Sequence, residues 1–117
     1  MIPYGKQDIN QADIDSVIDV LQSDFLTQGP QVPLFEKMIS DYCDAAFGVA
    51  VNSATSALHI ACLAIGLKKG DWLWTSPNSF VASANCALYC GAKVSFVDID
   101  PKTYNISVEY LEEKLIK

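Results

Sequence analysis

The chain contains no arginine: its eight basic residues are all lysines, set against fourteen acidic residues for a net charge of −6. An acidic surface without guanidinium groups points away from nucleic acid and from anionic membrane, both of which are bound through clustered cations. Histidine is scarce too, with His59 alone among 117 residues. A histidine-rich metal site, or a Ser-His-Asp triad drawn from this chain, would rest on that single ring, and a core or edge position suits it better. The four cysteines (Cys43, Cys62, Cys86 and Cys90) form no Cys-x-x-Cys pair. Cys86 and Cys90 fall four apart on one face of a predicted helix. They read as reduced, buried thiols of a cytoplasmic protein. The longest apolar run, Ala57 to Leu67, includes His59 and falls far short of the ~20 residues that cross a bilayer. Met1 to Gly5 lacks a basic segment followed by an apolar block, so no signal peptide is expected. No strand is followed by Gly-x-Gly-x-x-Gly, and there is no P-loop Gly-Lys-Ser/Thr. Internal repeats and low-complexity segments are absent as well.

What is present is apolar residue: 50% of the chain, enough for a real core in one domain or part of one. From Phe47 onward the pattern alternates. Phe47–Asn52 reads as a strand, Thr55–Leu67 as a helix ended by Gly70, and Asp71–Thr75 as a second strand. Phe80–Cys90 reads as a helix capped by Ser79 and stopped by Gly91, and Lys93–Val97 as a third strand. Ser107 caps a last helix over Val108–Ile116. Continuous apolar strands alternating with helices predict an α/β fold with a mostly parallel sheet. Ahead of this lie an extended arm carrying Tyr4 and a helix capped by Asn10 that runs to about Ser23. Its apolar face is Ile14, Val17, Ile18 and Leu21. A loop from Ser23 to the Gly29-Pro30 breaker follows, in which Phe25 and Leu26 either plug a core or line a pocket. A helix from Val32 to Asp44 then turns Phe35, Met38, Ile39 and Tyr42 inward.

The stretch with most chemical content is Asn52-Ser53-Ala54-Thr55-Ser56. A strand feeding directly into a helix leaves the first helical N–H groups unpaired, and the helix dipole adds positive potential there. Small side chains give an anion access to those groups. The same residues also make an ordinary N-cap through Ser53 or Thr55, and taken alone the cap reading leads. In a parallel sheet ligands bind beyond the carboxyl ends of the strands, where Asn52–Ser56, Thr75–Phe80 and Asp98–Pro101 all lie. Phe80 is either a hydrophobic staple or an aromatic face for a flat, phosphorylated ring.

Taken together, several segments resemble one known family. They are Asp24-Phe25-Leu26-Thr27-Gln28-Gly29-Pro30 with Phe35-Glu36, Asn52-Ser53-Ala54-Thr55-Ser56-Ala57-Leu58, Ser76-Pro77-Asn78-Ser79-Phe80-Val81-Ala82, Gly91-Ala92, and Phe96-Val97-Asp98-Ile99-Asp100. Their order and spacing are similar to the N-terminal third of the pyridoxal-phosphate-dependent sugar-nucleotide aminotransferases. The nearest branch is the 4-aminotransferases acting on UDP-4-keto-6-deoxy-N-acetylhexosamines, as in pseudaminic acid biosynthesis. The resemblance implies part of the large domain of a fold-type I aminotransferase, with residues 1–46 as arm and helices and residues 47–117 as the αβ unit on the cofactor side. It implies that Ala54 and Thr55 hold the phosphate of pyridoxal 5'-phosphate and that Phe80 stacks on its ring. It implies that Tyr4, Asp24, Phe25, Leu26, Thr27 and Ala54 meet the nucleotide-sugar. It also implies a homodimer in which an amino acid, glutamate, donates nitrogen to a UDP-linked keto-sugar. The family's cofactor-binding lysine, and the acidic partner of the pyridine nitrogen, lie beyond the matched segments. Asp98 and Asp100 match a structural Asp-x-Asp instead. The expectation is therefore that the 117 residues alone do not catalyse transamination. A non-catalytic phosphate-binding module and one half of a split enzyme are the alternatives.

Overall fold

The structure, a computed structural model, describes residues 4–116. It divides into two compact units, one up to Ala50 and the other from Val51. In the first, α1 spans Gln11–Leu21 and α2 spans Gln31–Tyr42. Asn10 starts α1 with a reciprocal capping box: its side chain accepts from the Ala12 N–H at 2.8 Å, and the Asp13 carboxylate accepts the Asn10 N–H at 2.9 Å. Two of the orphan donors at the helix start are thereby satisfied. On α2, Lys37 and Asp41 pair one turn apart at 2.8 Å. The chain leaves α2 through Asp44, which takes a left-handed φ of 52°. The expected apolar faces exist, but they are uncovered. Ile14, Val17, Ile18 and Leu21 on α1 are exposed, as are Phe35, Met38, Ile39 and Tyr42 on α2. Neither helix packs against another named element among the described residues, and Ser40 is the only buried residue described in this unit.

The second unit holds α3 (Ala54–Ala64), β1 (Trp72–Thr75), α4 (Ala82–Tyr89), β2 (Lys93–Phe96) and α5 (Val108–Ile116). The two strands pair in parallel, from Trp72 opposite Lys93 to Thr75 opposite Phe96. Helix α4 packs on both strands and on α3. The buried residues where these elements meet are small: Cys62, Ala82, Ala84, Cys86, Ala87, Ala92 and Val97. Small side chains let α3 and α4 approach closely, and Ala87 is completely enclosed. His59 sits at the edge of this packing, half-buried, with its ring edge-on to Tyr89 at 5.3 Å. Alternation along the strands puts Trp72 and Trp74 on one face and Leu73 and Thr75 on the other. Lysines lie over the tryptophans, Lys93 at 5.1 Å from the Trp72 ring and Lys114 at 5.8 Å from that of Trp74. Lys114 also donates to the Phe96 carbonyl at 2.7 Å.

Three expectations need correction. Phe47–Asn52 is not a strand: no described segment pairs with it, and Phe47 and Val49 are exposed. An extended apolar run becomes a strand only when a neighbour accepts its backbone hydrogen bonds, so the sheet has two strands among the described residues rather than three. Helix α3 ends at Ala64, not Leu67. Gly66 takes a φ of 80° and the Leu67 N–H bonds back to the Cys62 carbonyl, so the terminating glycine is Gly66 and not Gly70. Helix α4 begins at Ala82 and has no side-chain cap. Ser79 shares its hydroxyl with that of Ser83 at 3.2 Å instead.

Candidate functional site

The turn into α3 resolves part of the choice between cap and cup. Ser53 is the N-cap, with extended backbone, and its Oγ accepts the Ser56 N–H at 3.2 Å. Thr55 lies inside the first turn and does not cap. The Ser56 hydroxyl donates to Asn52 Oδ1 at 2.7 Å and lies 3.1 Å from the Ser53 hydroxyl. Asn52, Ser53 and Ser56 thus bond among themselves. The N–H groups of Ala54 and Thr55 have no partner among the described residues. One donor is used by the Ser53 cap, and two remain without a partner among the described residues at the positive end of an eleven-residue helix.

Beyond the carboxyl ends of β1 and β2 lies a cavity of about 200 Å³, lined by Thr75, Ser76, Pro77, Ser79, Phe80, Val81, Ser83, Ala84 and Phe96. Phe80 is 74% exposed. Its ring is not in the core of this unit, which disfavours the staple reading and leaves an aromatic face available. Ala54 and Thr55 do not line this cavity. The structure shows the two features as separate parts of one unit, not as walls of one pocket.

The remaining predicted positions lie in the first unit. Tyr4, Phe25 and Leu26 are exposed, as are Asp24 and Thr27, so Phe25 and Leu26 do not plug a core there. The loop nonetheless has a defined backbone. Ser23 Oγ accepts the Phe25 N–H at 3.3 Å, Gln28 is left-handed with a φ of 52°, and a Cβ at Gly29 would sit 3.0 Å from the Cβ of Phe25. Asp98 and Asp100 act on the backbone. Asp98 Oδ1 accepts the Ile99 N–H at 2.8 Å, and Asp100 Oδ1 accepts from Lys102 and Thr103 at 2.7 and 3.1 Å. These are turn-building bonds.

Two groups named from the sequence take a part in the structure that the sequence did not assign to them. One is Glu36, whose carboxylate accepts the Ala50 N–H at 2.8 Å. The available signal was its spacing to Ser40, one turn on, which puts two polar residues on the same face of α2. The other is the thiol cluster of Cys62, Cys86 and Cys90 between α3 and α4. Burial, then a hydrogen bond with Cys86, then the nearby Cys86 and Cys90 thiols push Cys62 up to about 11. That thiol stays protonated at neutral pH and is a packing group rather than a nucleophile. No cluster of potential metal ligands occurs among the described residues, and none of their helices is long and apolar enough to cross a membrane.

The donor set fits a phosphorylated planar cofactor. The free Ala54 and Thr55 N–H groups and the Thr55 hydroxyl suit a phosphate, and the exposed Phe80 ring suits an aromatic system.

Comparison with known proteins gives a consistent answer. The profile of the DegT/DnrJ/EryC1/StrS aminotransferase family matches residues 7–117. A UDP-4-amino-4,6-dideoxy-N-acetyl-beta-L-altrosamine transaminase of Campylobacter jejuni is 44% identical over the whole chain, which spans 31% of that enzyme. Helicobacter pylori PseC, an aminotransferase involved in pseudaminic acid biosynthesis, superposes over 95% of this chain and 30% of its own, with a TM-score of 0.87 and 33% identity. Spr1654 of Streptococcus pneumoniae, solved in apo, PLP and PMP forms, superposes over 96% of this chain with a TM-score of 0.91 and 31% identity. The chain covers 28–29% of that protein. It thus spans about 30% of the length of the relatives it matches. With two free donors at the α3 turn, a parallel strand pair and a match along nearly all its length, the chain belongs to the DegT/DnrJ/EryC1/StrS aminotransferase family.

Proposed function

We propose that this chain supplies the phosphate-holding and ring-stacking portion of a pyridoxal-phosphate-dependent aminotransferase acting on a nucleotide-sugar. The substrate class is a UDP-linked 4-keto-6-deoxy-N-acetylhexosamine and the donor is glutamate. The 44% identity to the altrosamine transaminase supports the substrate class. The observation that carries the reading is the pair of free N–H groups at Ala54 and Thr55, at a helix start whose own cap is already satisfied by Ser53.

When bound, pyridoxal phosphate supplies the electron sink for amino transfer. This chain's residues do the holding. The Ala54 and Thr55 N–H groups and the Thr55 hydroxyl fix the phosphate, and the helix dipole offsets its charge. Phe80 packs against the ring and shields one face from water. Tyr4 and Asp24 to Thr27 meet the nucleotide-sugar, the apolar Phe25 and Leu26 giving flat contact area and Asp24 and Thr27 giving polar contacts. The working assembly is a cytoplasmic homodimer.

Titration with pyridoxal phosphate tests the proposal. Thr55→Glu places a carboxylate at the phosphate position, where like charges about 4 Å apart repel by about 4 kcal/mol at an effective dielectric of about 20. Binding should be lost. Unchanged affinity in Thr55→Glu would remove the phosphate from this turn.

A further inference from the structure

The carboxyl end of β2 is held from behind by one side chain of α5, Lys114. The Lys93 N–H donates to the Asp71 carbonyl, and the Val97 N–H to that of Thr75. Alternation along a parallel ladder then turns the backbone groups of Phe96 to the other edge of β2, where no strand pairs among the described residues. Lys114 Nζ meets the Phe96 carbonyl there at 2.7 Å, across eighteen residues of sequence, and lies 5.8 Å from the centre of the Trp74 ring. It thus comes from the face of the sheet that carries Trp74. Thr75 and Phe96 are register partners and share the opposite face, where both line the cavity of about 200 Å³ beside Phe80. Phe96 also borders a second cavity, of about 390 Å³, which lies toward α5 and includes Lys114. It is a wall with Phe80 on one side and Lys114 on the other. All of these residues belong to the unit that starts at Val51. Helix α5 packs closely on neither strand among the described residues, so Lys114 is the side chain that ties it to β2.

We infer that Lys114 is a positioning residue for the cofactor ring: by holding the Phe96 carbonyl it keeps the last rung of the ladder, Thr75 opposite Phe96, in place as a wall of the cavity that Phe80 lines. The inference rests on the proposed stacking role of Phe80. An ammonium donor bonds a carbonyl more strongly than a neutral donor does, and the Trp74 ring attracts the same charge. At an open strand edge the last carbonyl would otherwise turn to water, and the strand end would fray. The Ala54 and Thr55 donors lie outside this cavity, so a loosened wall costs ring contact and spares phosphate contact.

The test titrates the full chain with pyridoxal phosphate and, separately, with inorganic phosphate, and follows amide hydrogen exchange at Val97, the donor of the last rung. Lys114→Met keeps an apolar stem against Trp74 and removes the donor. It should speed exchange at Val97 and weaken pyridoxal phosphate about fivefold, part of the roughly tenfold that a whole ring contact supplies. Inorganic phosphate should bind within about twofold of the parent, since it makes no ring contact. Lys114→Arg keeps a charged donor and should hold both ligands within about twofold. A purely structural Lys114 would lower the melting temperature in Lys114→Met and leave pyridoxal phosphate affinity unchanged, or would weaken both ligands alike. Either result overturns the inference. If Phe80→Ala weakens pyridoxal phosphate while Lys114→Met does not, only the role of Lys114 fails. If Phe80→Ala binds it normally, the stacking reading fails and takes this inference with it. Should Lys114→Met not fold, Phe96→Ala decides, because it removes the wall at an exposed position. Normal pyridoxal phosphate affinity in Phe96→Ala contradicts the inference, and a loss confined to that ligand supports it.

Discussion

Both units are built around helices, yet different forces hold them. In the unit up to Ala50, α1 and α2 stand mainly on local interactions, the Asn10 capping box and the Lys37–Asp41 pair, with the Glu36 bond to the Ala50 N–H as a longer-range addition on α2. Their apolar faces touch no other described element. In the unit from Val51, α3 and α4 pack on each other, and α4 packs on the strand pair, around seven small buried residues. Helices of eleven and twelve residues are marginal when only local terms support them. The first unit should therefore open at low cost, and the second should open as one cooperative body. The proposed cofactor turn belongs to the second, and the proposed sugar-contacting loop to the first. Rigid phosphate holding and adaptable substrate contact are thus assigned to different kinds of structure.

The largest test of this contrast is Ala87→Leu. Ala87 is fully enclosed, and overpacking there should cost about 1–3 kcal/mol. Hydrogen exchange should accelerate together in α3, α4, β1 and β2, while α1 stays as it was. A change confined to α4 would show that the second unit is not cooperative.

Alkaline pH gives a second handle on the same core. The Cys62 thiol is raised to about 11 from an ordinary value of 9.0. Above pH 9 the unfolded chain loses this proton while the folded one keeps it. The folded state then binds more protons, so stability falls as pH rises from about 9 to about 11 and is fully present below that window. Denaturant melts of the second unit should show this slope in the parent and a shallower one in Cys62→Ala. Equal slopes would mean that the thiol does not sense folding.

In the first unit, Asn10→Ala should cost about 1 kcal/mol and fray α1 without touching the second unit. Residue-resolved helicity from NMR shifts reads it. The smallest effect is expected for Lys37→Ala, about 0.3–0.5 kcal/mol, since both partners are largely exposed. Near 1 M salt, where charges are screened over about 3 Å, that difference should vanish.

Much of this was legible in sequence where the cause is local. Asn10, Ser53 and Ser107 cap as their residue types dictate, Gly91 stops α4 with a left-handed φ of 72°, and the strand sequences beginning at Trp72 and Lys93 pair as read. What misled was non-local. Phe47–Asn52 has the apolar content of a strand, but pairing depends on a neighbour that no window of sequence reports. Phe35 and Met38 carry the pattern of an inward face, but pattern says which side is apolar and not what covers it. Ser79 looks like a cap, yet its hydroxyl is shared with Ser83. The Glu36 bond to the Ala50 N–H joins residues fourteen apart, beyond the reach of helical or strand periodicity. At the candidate site, the small residues of the α3 turn were readable. That Ser53 takes the Ser56 N–H and leaves those of Ala54 and Thr55 free needed coordinates.

The most direct test of the account is a map of amide shifts as pyridoxal phosphate is added to the protein, with inorganic phosphate as a second titrant. The account predicts that both ligands move the Ala54 and Thr55 amides most, and that only pyridoxal phosphate also moves the Phe80 ring resonances. Shifts from both ligands that leave Ala54 and Thr55 in place would contradict it.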